Sequence, residues 1–335
     1  MEFLTLDEDE FTYGEAASVD SGTGLPVRRV IAKNPSKFTY RGTGTYLIGD
    51  TDLVVIDPGP ELDSHDDALR SAIGDGTVRA ILITHCHADH SPLAARLQEE
   101  TGAPTFAFGP HAATTEAWDL GSLPDEFGRV PEGEVDDEFA AALDPDEVPK
   151  VEESVDEAFT PDEVVRTGDE VFSYKKLSMR ALHTPGHTSN HTCFTLTDGE
   201  SKIIFTGDHV MGWSTTVVSP PDGDMAAYIE SLRVVAGRDD HVAIPTHGPP
   251  IEHAGAYIGG LVEHRMGREA QVIDGLQRGL TTIPALVTEL YAAVHVRLHR
   301  PAAFSVLGHL VKLVGEGRVE SSAGNATLDA TYALT

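Results

Sequence analysis

Thr84-His85-Cys86-His87-Ala88-Asp89-His90 places three histidines and a carboxylate within six residues, directly after the apolar run 80–84. A strand over that run would end here, and a loop can then turn these side chains toward one point. Imidazole nitrogens joined by a carboxylate form a borderline-hard ligand set that suits zinc, and also iron or manganese. A solvated histidine cluster is the bland alternative. It does not account for three further residues downstream: His187 in His183-Thr184-Pro185-Gly186-His187, Asp208 in Phe205-Thr206-Gly207-Asp208, and His247 in Pro245-Thr246-His247-Gly248. Each follows an apolar run and sits in a turn, so all can converge on one sheet edge.

Outward from that motif, short apolar runs alternate with amphipathic ones over the first 260 residues, the mark of a mixed α/β body. Runs 45–49 and 53–57, joined by Asp50-Thr51-Asp52, predict a hairpin. Residues 63–73 have helical spacing, 78–84 reads as a buried strand, and 92–102 is a helix with proline in its first turn and glycine past its end. Strands are expected at 178–183, 192–197, 202–206 and 242–245, with a helix near 225–235. After Pro250 helix formers dominate: a long helical pattern at 251–279, then 283–291, 301–316, and a hairpin over 318–333 with its turn at Gly324-Asn325. Helices followed by a hairpin outline a winged helix.

The chain has 335 residues and a formal net charge of −30. That charge is unevenly spread. Residues 1–20 hold seven acids and no bases, and residues 111–171 hold twenty acids and three bases. The acidity therefore belongs to two surface segments more than to the working body. Residues 111–171 read as an insertion, draped over the surface and dispensable for metal binding, since they carry no proposed ligand. Residues 261–335 hold seven bases and seven acids; this neutral tail lacks the basic stripe that a nucleic-acid backbone requires. A packing wall, lid or homodimer surface fits it better than a DNA reader. Two cysteines, Cys86 and Cys193, exclude a disulfide framework. No signal-peptide pattern opens the sequence and no apolar run approaches the roughly 20 residues of a membrane span, so a cytoplasmic location without membrane partners is expected.

The order His-x-His-x-Asp-His, lone His, lone Asp, last His, with Asp57 ending an early strand, resembles the metallo-β-lactamase superfamily. The resemblance spans residues 25–260 and implies an αββα sandwich with a metal site at one edge. Asn34-Pro35, Gly42-Thr43-Gly44-Thr45-Tyr46, the stretch 207–216, Tyr257, His264-Arg265 and the winged tail are similar to the lactamase-β-like protein 2 branch. That branch usually has asparagine where this chain has Gly44. The implied domains are an acidic segment 1–24, a metallo-β-lactamase domain 25–264 containing the insertion 111–171, and a winged-helix domain 265–335. Carried over by position, the resemblance places one ion on His85, His87 and His187, a second on Asp89, His90 and His247, and Asp208 between them. Seven ligands suit two metals sharing a carboxylate, here two Zn2+, with Mn2+ or Fe2+ as alternatives.

The expected activity is that of a dinuclear metal-dependent hydrolase. A metal-bound hydroxide, formed from water whose pKa falls to about 7, would attack a small carbonyl substrate: a β-lactam, a lactone or an acyl thioester. Asp89 is the expected catalytic side chain, receiving or relaying a proton. Asp57 is expected to hold a ligand histidine, His183 and His191 to be structural, with His191 also able to face a substrate, and Cys86 to point away from the ligands. Trp213 and residues 214–216 are balanced between lining the pocket and packing. His295, His299 and His309 have no metal spacing. Two other readings stay open: a metal-dependent endoribonuclease on single-stranded RNA, and a ligand-sensing winged-helix regulator. The neutral tail supports neither.

Overall fold

The computed structural model describes residues 3–6, 10–111, 123, 155–293, 296 and 299–335. Period-2 alternation decides its layers. In β4 (Asp52–Ile56), Val54 and Ile56 face inward to the space between two sheets, while Leu53 and Val55 face outward to helices. β11 (Lys202–Gly207) does the same, with Ile203 and Phe205 inward and Ile204 outward. Strands with apolar residues on both faces must be covered on both, which gives helix, sheet, sheet, helix.

The first sheet runs in the order β1 (Ala17–Ser18), β2 (Val27–Ile31), β3 (Gly44–Ile48), β4, β5 (Thr77–Leu82), β6 (Thr105–Ala107) and β7 (Glu163–Val164). It is antiparallel up to β4 and parallel from there to β7. α1 (Asp63–Ile73) and α2 (Leu93–Thr101) cover its outer face. The second sheet runs β8 (Glu170–Tyr174), β9 (Leu177–His183), β10 (Thr192–Thr197), β11, β12 (Val242–Pro245) and β13 (Ile251–Glu252), with only β11 and β12 parallel. α3 (Met225–Ala236) and α4 (Ala254–Gln277) cover it. No helix among the described residues is long and apolar enough to cross a membrane.

The predicted helix 63–73 and strands 192–197 and 242–245 occur with those bounds. β2, β6 and β8 were not expected. In β2 the adjacent arginines Arg28 and Arg29 break the apolar alternation, yet both reach across to carbonyl oxygens, of Ala72 and Gly248. The surface reading of 111–171 is corrected at its C-terminal end. Val155 pairs with His87 through a backbone bridge, Asp156 accepts from the Ser91 hydroxyl at 2.8 Å, Phe159 and Val165 are buried in the core, and β7 extends the first sheet. Residues 155–171 are therefore body, not insertion, because they fill the edge of the sheet that the metal motif follows. Residues 112–122 and 124–154 lie outside the described residues.

The tail consists of α5 (Ile283–Leu290), α6 (His299–Gly315) and the hairpin β14 (Val319–Ser321) with β15 (Tyr332–Leu334) around its own apolar core. Leu123 is buried in that core as well. α4 runs unbroken across position 264, where the two domains were expected to divide, so both share this helix. Glu269 on α4 is 2% exposed and accepts from Lys312 of α6 at 2.7 Å and from Arg318 of the hairpin at 2.8 Å. Removing one partner of a buried ion pair strands the other. Glu269→Ala is therefore expected to lower the stability of the tail by about 2–3 kcal/mol, discounted for the half-exposed Arg318, which a shift of its urea midpoint would measure.

Candidate metal centre

Every candidate ligand stands just past a strand, at one edge of the sandwich. Asp57 follows β4, the motif 84–90 follows β5, His187 follows β9, Asp208 follows β11 and His247 follows β12. Parallel strands β4, β5, β11 and β12 end on this side together, which is where such sheets place sites.

The seven side chains meet in two adjoining groups. In the first, His87 Nδ1 lies 3.0 Å from His85 Nε2 and 3.2 Å from His187 Nε2. In the second, Asp89 Oδ2 lies 3.4 Å from His90 Nε2 and 3.2 Å from His247 Nε2. Asp208 stands between them. Its Oδ2 is 3.8 Å from His187 Nε2, and its Oδ1 is 3.6 Å from His90 Nε2 and 3.4 Å from His247 Nε2. Four ligands placed about 2.1 Å from one ion in a tetrahedron stand about 3.4 Å apart, so both groups have the spacing of a metal pocket. His90 Nε2 and Asp208 Oδ1 are buried without a hydrogen-bond partner. Orphaned buried atoms of this kind fit an ion as their partner. The residues present thus suit a pair of divalent cations.

The opposite ring nitrogens are held, which fixes which nitrogen each ring presents. His90 Nδ1 bonds Asp57 Oδ2 at 2.9 Å, His187 Nδ1 the Val217 carbonyl at 2.6 Å, His247 Nδ1 the Gly42 carbonyl at 3.1 Å, and His85 Nδ1 the Thr84 hydroxyl at 3.1 Å. Asp57 bonds a candidate ligand histidine, His90. Fully buried at a left-handed φ of 48°, it also accepts from the Thr84 amide and hydroxyl, each at 2.8 Å, and from the Thr246 hydroxyl at 3.1 Å.

Electrostatics divide the two groups. Burial, reinforced by the neighbouring rings, holds His85 and His87 well below the usual histidine pKa, so the first pocket is neutral imidazole. Burial also works to lower His90, but the carboxylates of Asp89, Asp208 and Asp57 outweigh it and lift His90 to about 10. His247 is raised against its burial by Asp208 and Asp89. The carboxylates around His90 and His247 thus make the second pocket one that favours positive charge, as a cation site does.

Other sequence expectations resolve by contact. His191 is fully buried behind the site, where its Nε2 accepts the Asp208 amide at 3.2 Å; it is structural and does not face a substrate. Gly207, at φ 50°, leaves room for that ring, since a Cβ there would lie 2.7 Å from His191 Nε2. His183 stacks on Phe108 with centroids 3.7 Å apart. Cys86 points away from the ligands and accepts from the Asn190 amide. Trp213 packs against Tyr40, 4.9 Å between centroids, and Thr216 bonds the Asp208 carbonyl. His299 bonds the Tyr291 carbonyl at 3.2 Å, His309 is buried in α6, and His295 lies outside the described residues. Beside Gly44 a Cβ would stand 3.0 Å from both Arg29 Cδ and the Thr246 carbonyl oxygen, so Arg29 takes the space an asparagine would need.

The sequence reading missed the support of Asp89. Thr43 donates to Asp89 Oδ2 at 2.8 Å, and Asn34 closes on Thr43 twice, its side-chain amide donating to the hydroxyl and its Oδ1 accepting from the Thr43 N–H, each at 2.9 Å. A polar residue between Gly42 and Gly44 is the signal that could have marked it.

The chain belongs to the metallo-beta-lactamase superfamily, whose model matches residues 40–247, and a beta-lactamase associated winged helix domain matches residues 282–326. An atrochrysone carboxyl ACP thioesterase of Aspergillus chevalieri is 28% identical, over 88% of this chain and 82% of that protein. The lactamase-like protein ptaB of Pestalotiopsis fici is 25% identical, over 87% and 80%. A beta-lactamase domain protein from Burkholderia ambifaria shares the fold, with TM-score 0.66 and 21% identity over 99% of this chain and 97% of that one. The protein is a hydrolase of this superfamily, whose members typically bind divalent metals.

Asp57→Asn keeps the shape of the Asp57 network but removes its charge. It is expected to weaken Zn2+ binding by the Asp89, His90 and His247 group about 10- to 100-fold, read by chelator competition.

Proposed function

We propose that this chain hydrolyses acyl thioesters, with two divalent ions, zinc in the first instance, held by His85, His87 and His187 on one side and Asp89, His90 and His247 on the other. The observation that carries the dinuclear reading is Asp208, whose two carboxylate oxygens face one pocket each. Ions bound there would polarise the thioester carbonyl and bring water toward ionisation near neutral pH. A thioester is chosen over a β-lactam or lactone because curated relatives aligned over most of this chain are named as acyl carrier protein thioesterases.

The chain's own residues then have separable tasks. Asp208 sets the spacing of the two pockets. Asp89 is the proton holder: Thr43, itself held by Asn34, fixes its Oδ2, and the other carboxylate oxygen is the one that takes up the proton water loses as it attacks. The leaving thiol has a pKa of about 8.5, low enough for it to depart as the thiolate and take its proton from water afterwards, so no protein acid is needed for it. Burial of His85, His90 and His247 keeps bulk water from competing for the ligand nitrogens.

A panel of a short-chain acyl thioester, nitrocefin, a lactone and a single-stranded RNA tests this reading. Thiol release from the thioester is expected to exceed turnover of the others, to stop on chelation and to return with Zn2+. Asp208→Ala is expected to lose metal from both pockets and at least about 10²-fold in kcat/KM. Turnover of nitrocefin or RNA with an inert thioester would overturn the substrate, and full metal content in Asp208→Ala would overturn the bridge.

A further inference from the structure

Arg265 lies near the middle of α4 and is 4% exposed. Its guanidinium donates to the Thr216 carbonyl and lies 5.4 Å from the centroid of the Tyr228 ring. What it grips bears directly on the ligands. The Thr216 hydroxyl donates to the Asp208 carbonyl at 2.8 Å, and the next carbonyl, of Val217, accepts from His187 Nδ1 at 2.6 Å. Tyr228, beneath the guanidinium, donates its hydroxyl to the His209 carbonyl at 3.0 Å. Segment 208–217 is thus held at both ends by α4 and α3.

A buried cation is a costly way to join a helix to a loop, and Arg265 Nε has no hydrogen-bond partner at all. An apolar side chain of similar volume would pack there without that penalty, so the charge is explained by what it holds. One turn further along α4, Glu269 ties the same helix to α6 and the hairpin. The winged tail is therefore joined to the same helix that carries the guanidinium.

We propose that Arg265 is a positioning residue for the metal pockets: it fixes the Thr216–Val217 peptide, and through it the main chain of Asp208 and the ring of His187. The tail would thereby shape the pockets without contributing a ligand. This rests on the dinuclear reading above.

The test titrates metal-free protein with Co2+ against a competing chelator, following stoichiometry and the visible d–d bands, with a thermal midpoint measured on each variant. Arg265→Met is expected to keep its midpoint within about 3 °C, because an apolar group replaces a buried charge. It should bind the ion at His85, His87 and His187 about 10- to 100-fold more weakly, with altered bands. Arg265→Lys should recover most of the affinity. Thr216→Val should reproduce the weakening with Arg265 in place, and it decides the matter if Arg265→Met does not fold. Wild-type affinity and bands in a folded Thr216→Val or Arg265→Met, alongside two ions in the wild type, would overturn the positioning role alone. A wild type that takes up no ion would overturn both readings.

Discussion

The buried carboxylate of Asp57 is the constraint on which the site depends. It sits where β4 ends, accepts hydrogen bonds from Thr84 past β5 and Thr246 past β12, and holds His90. One side chain thereby joins the ends of strands from both sheets. A carboxylate at 0% exposure is tolerable only when its oxygens are fully partnered, and here those partners are His90 itself and the residues next to His85 and His247. The same bonds that make its burial acceptable place the ligands. Cohesion of the sandwich and geometry of the candidate metal centre are, at this edge, one network.

Support for the other ligands comes from further out in the fold. Asp89 and His247 lean on the loop 34–43 between β2 and β3, through Thr43 and the Gly42 carbonyl. Asp208 and His187 lean on the segment 208–217, which α4 holds from behind. Both segments are loops, and loops hold a position only as firmly as their anchors do. Here the anchors are a buried amide, Asn34, and a buried guanidinium, Arg265. The shared helix α4 makes the tail part of the architecture behind the centre.

The candidate ligands that the fold brings together were legible in the sequence because metal chemistry restricts residue type and because the motif follows an apolar strand. The sandwich was legible because runs such as 53–56 and 203–205 alternate inward and outward. Other elements were not. β6 and β7 are too short to show a period, β2 is interrupted by two arginines, and residues 155–171 look like the continuation of an acidic loop. What makes 155–171 part of the body is long-range: a bridge from Val155 to His87 and a hydroxyl of Ser91 bonded to Asp156.

The sequence by itself thus determined the candidate ligand types, their order along strand ends, and the succession of a sandwich and a winged tail, because each follows from local periodicity or from coordination chemistry. Tertiary structure alone decided which nitrogen each histidine presents, that Asp208 faces two pockets, that His191 lies behind the site, and that Thr43 and Arg265 support it. Those facts depend on contacts between residues such as Thr43 and Asp89 or Thr216 and Arg265, 46 and 49 positions apart. Hydrogen bonds across such separations leave no period in the chain, because only the packed sheets and helices bring their partners within reach.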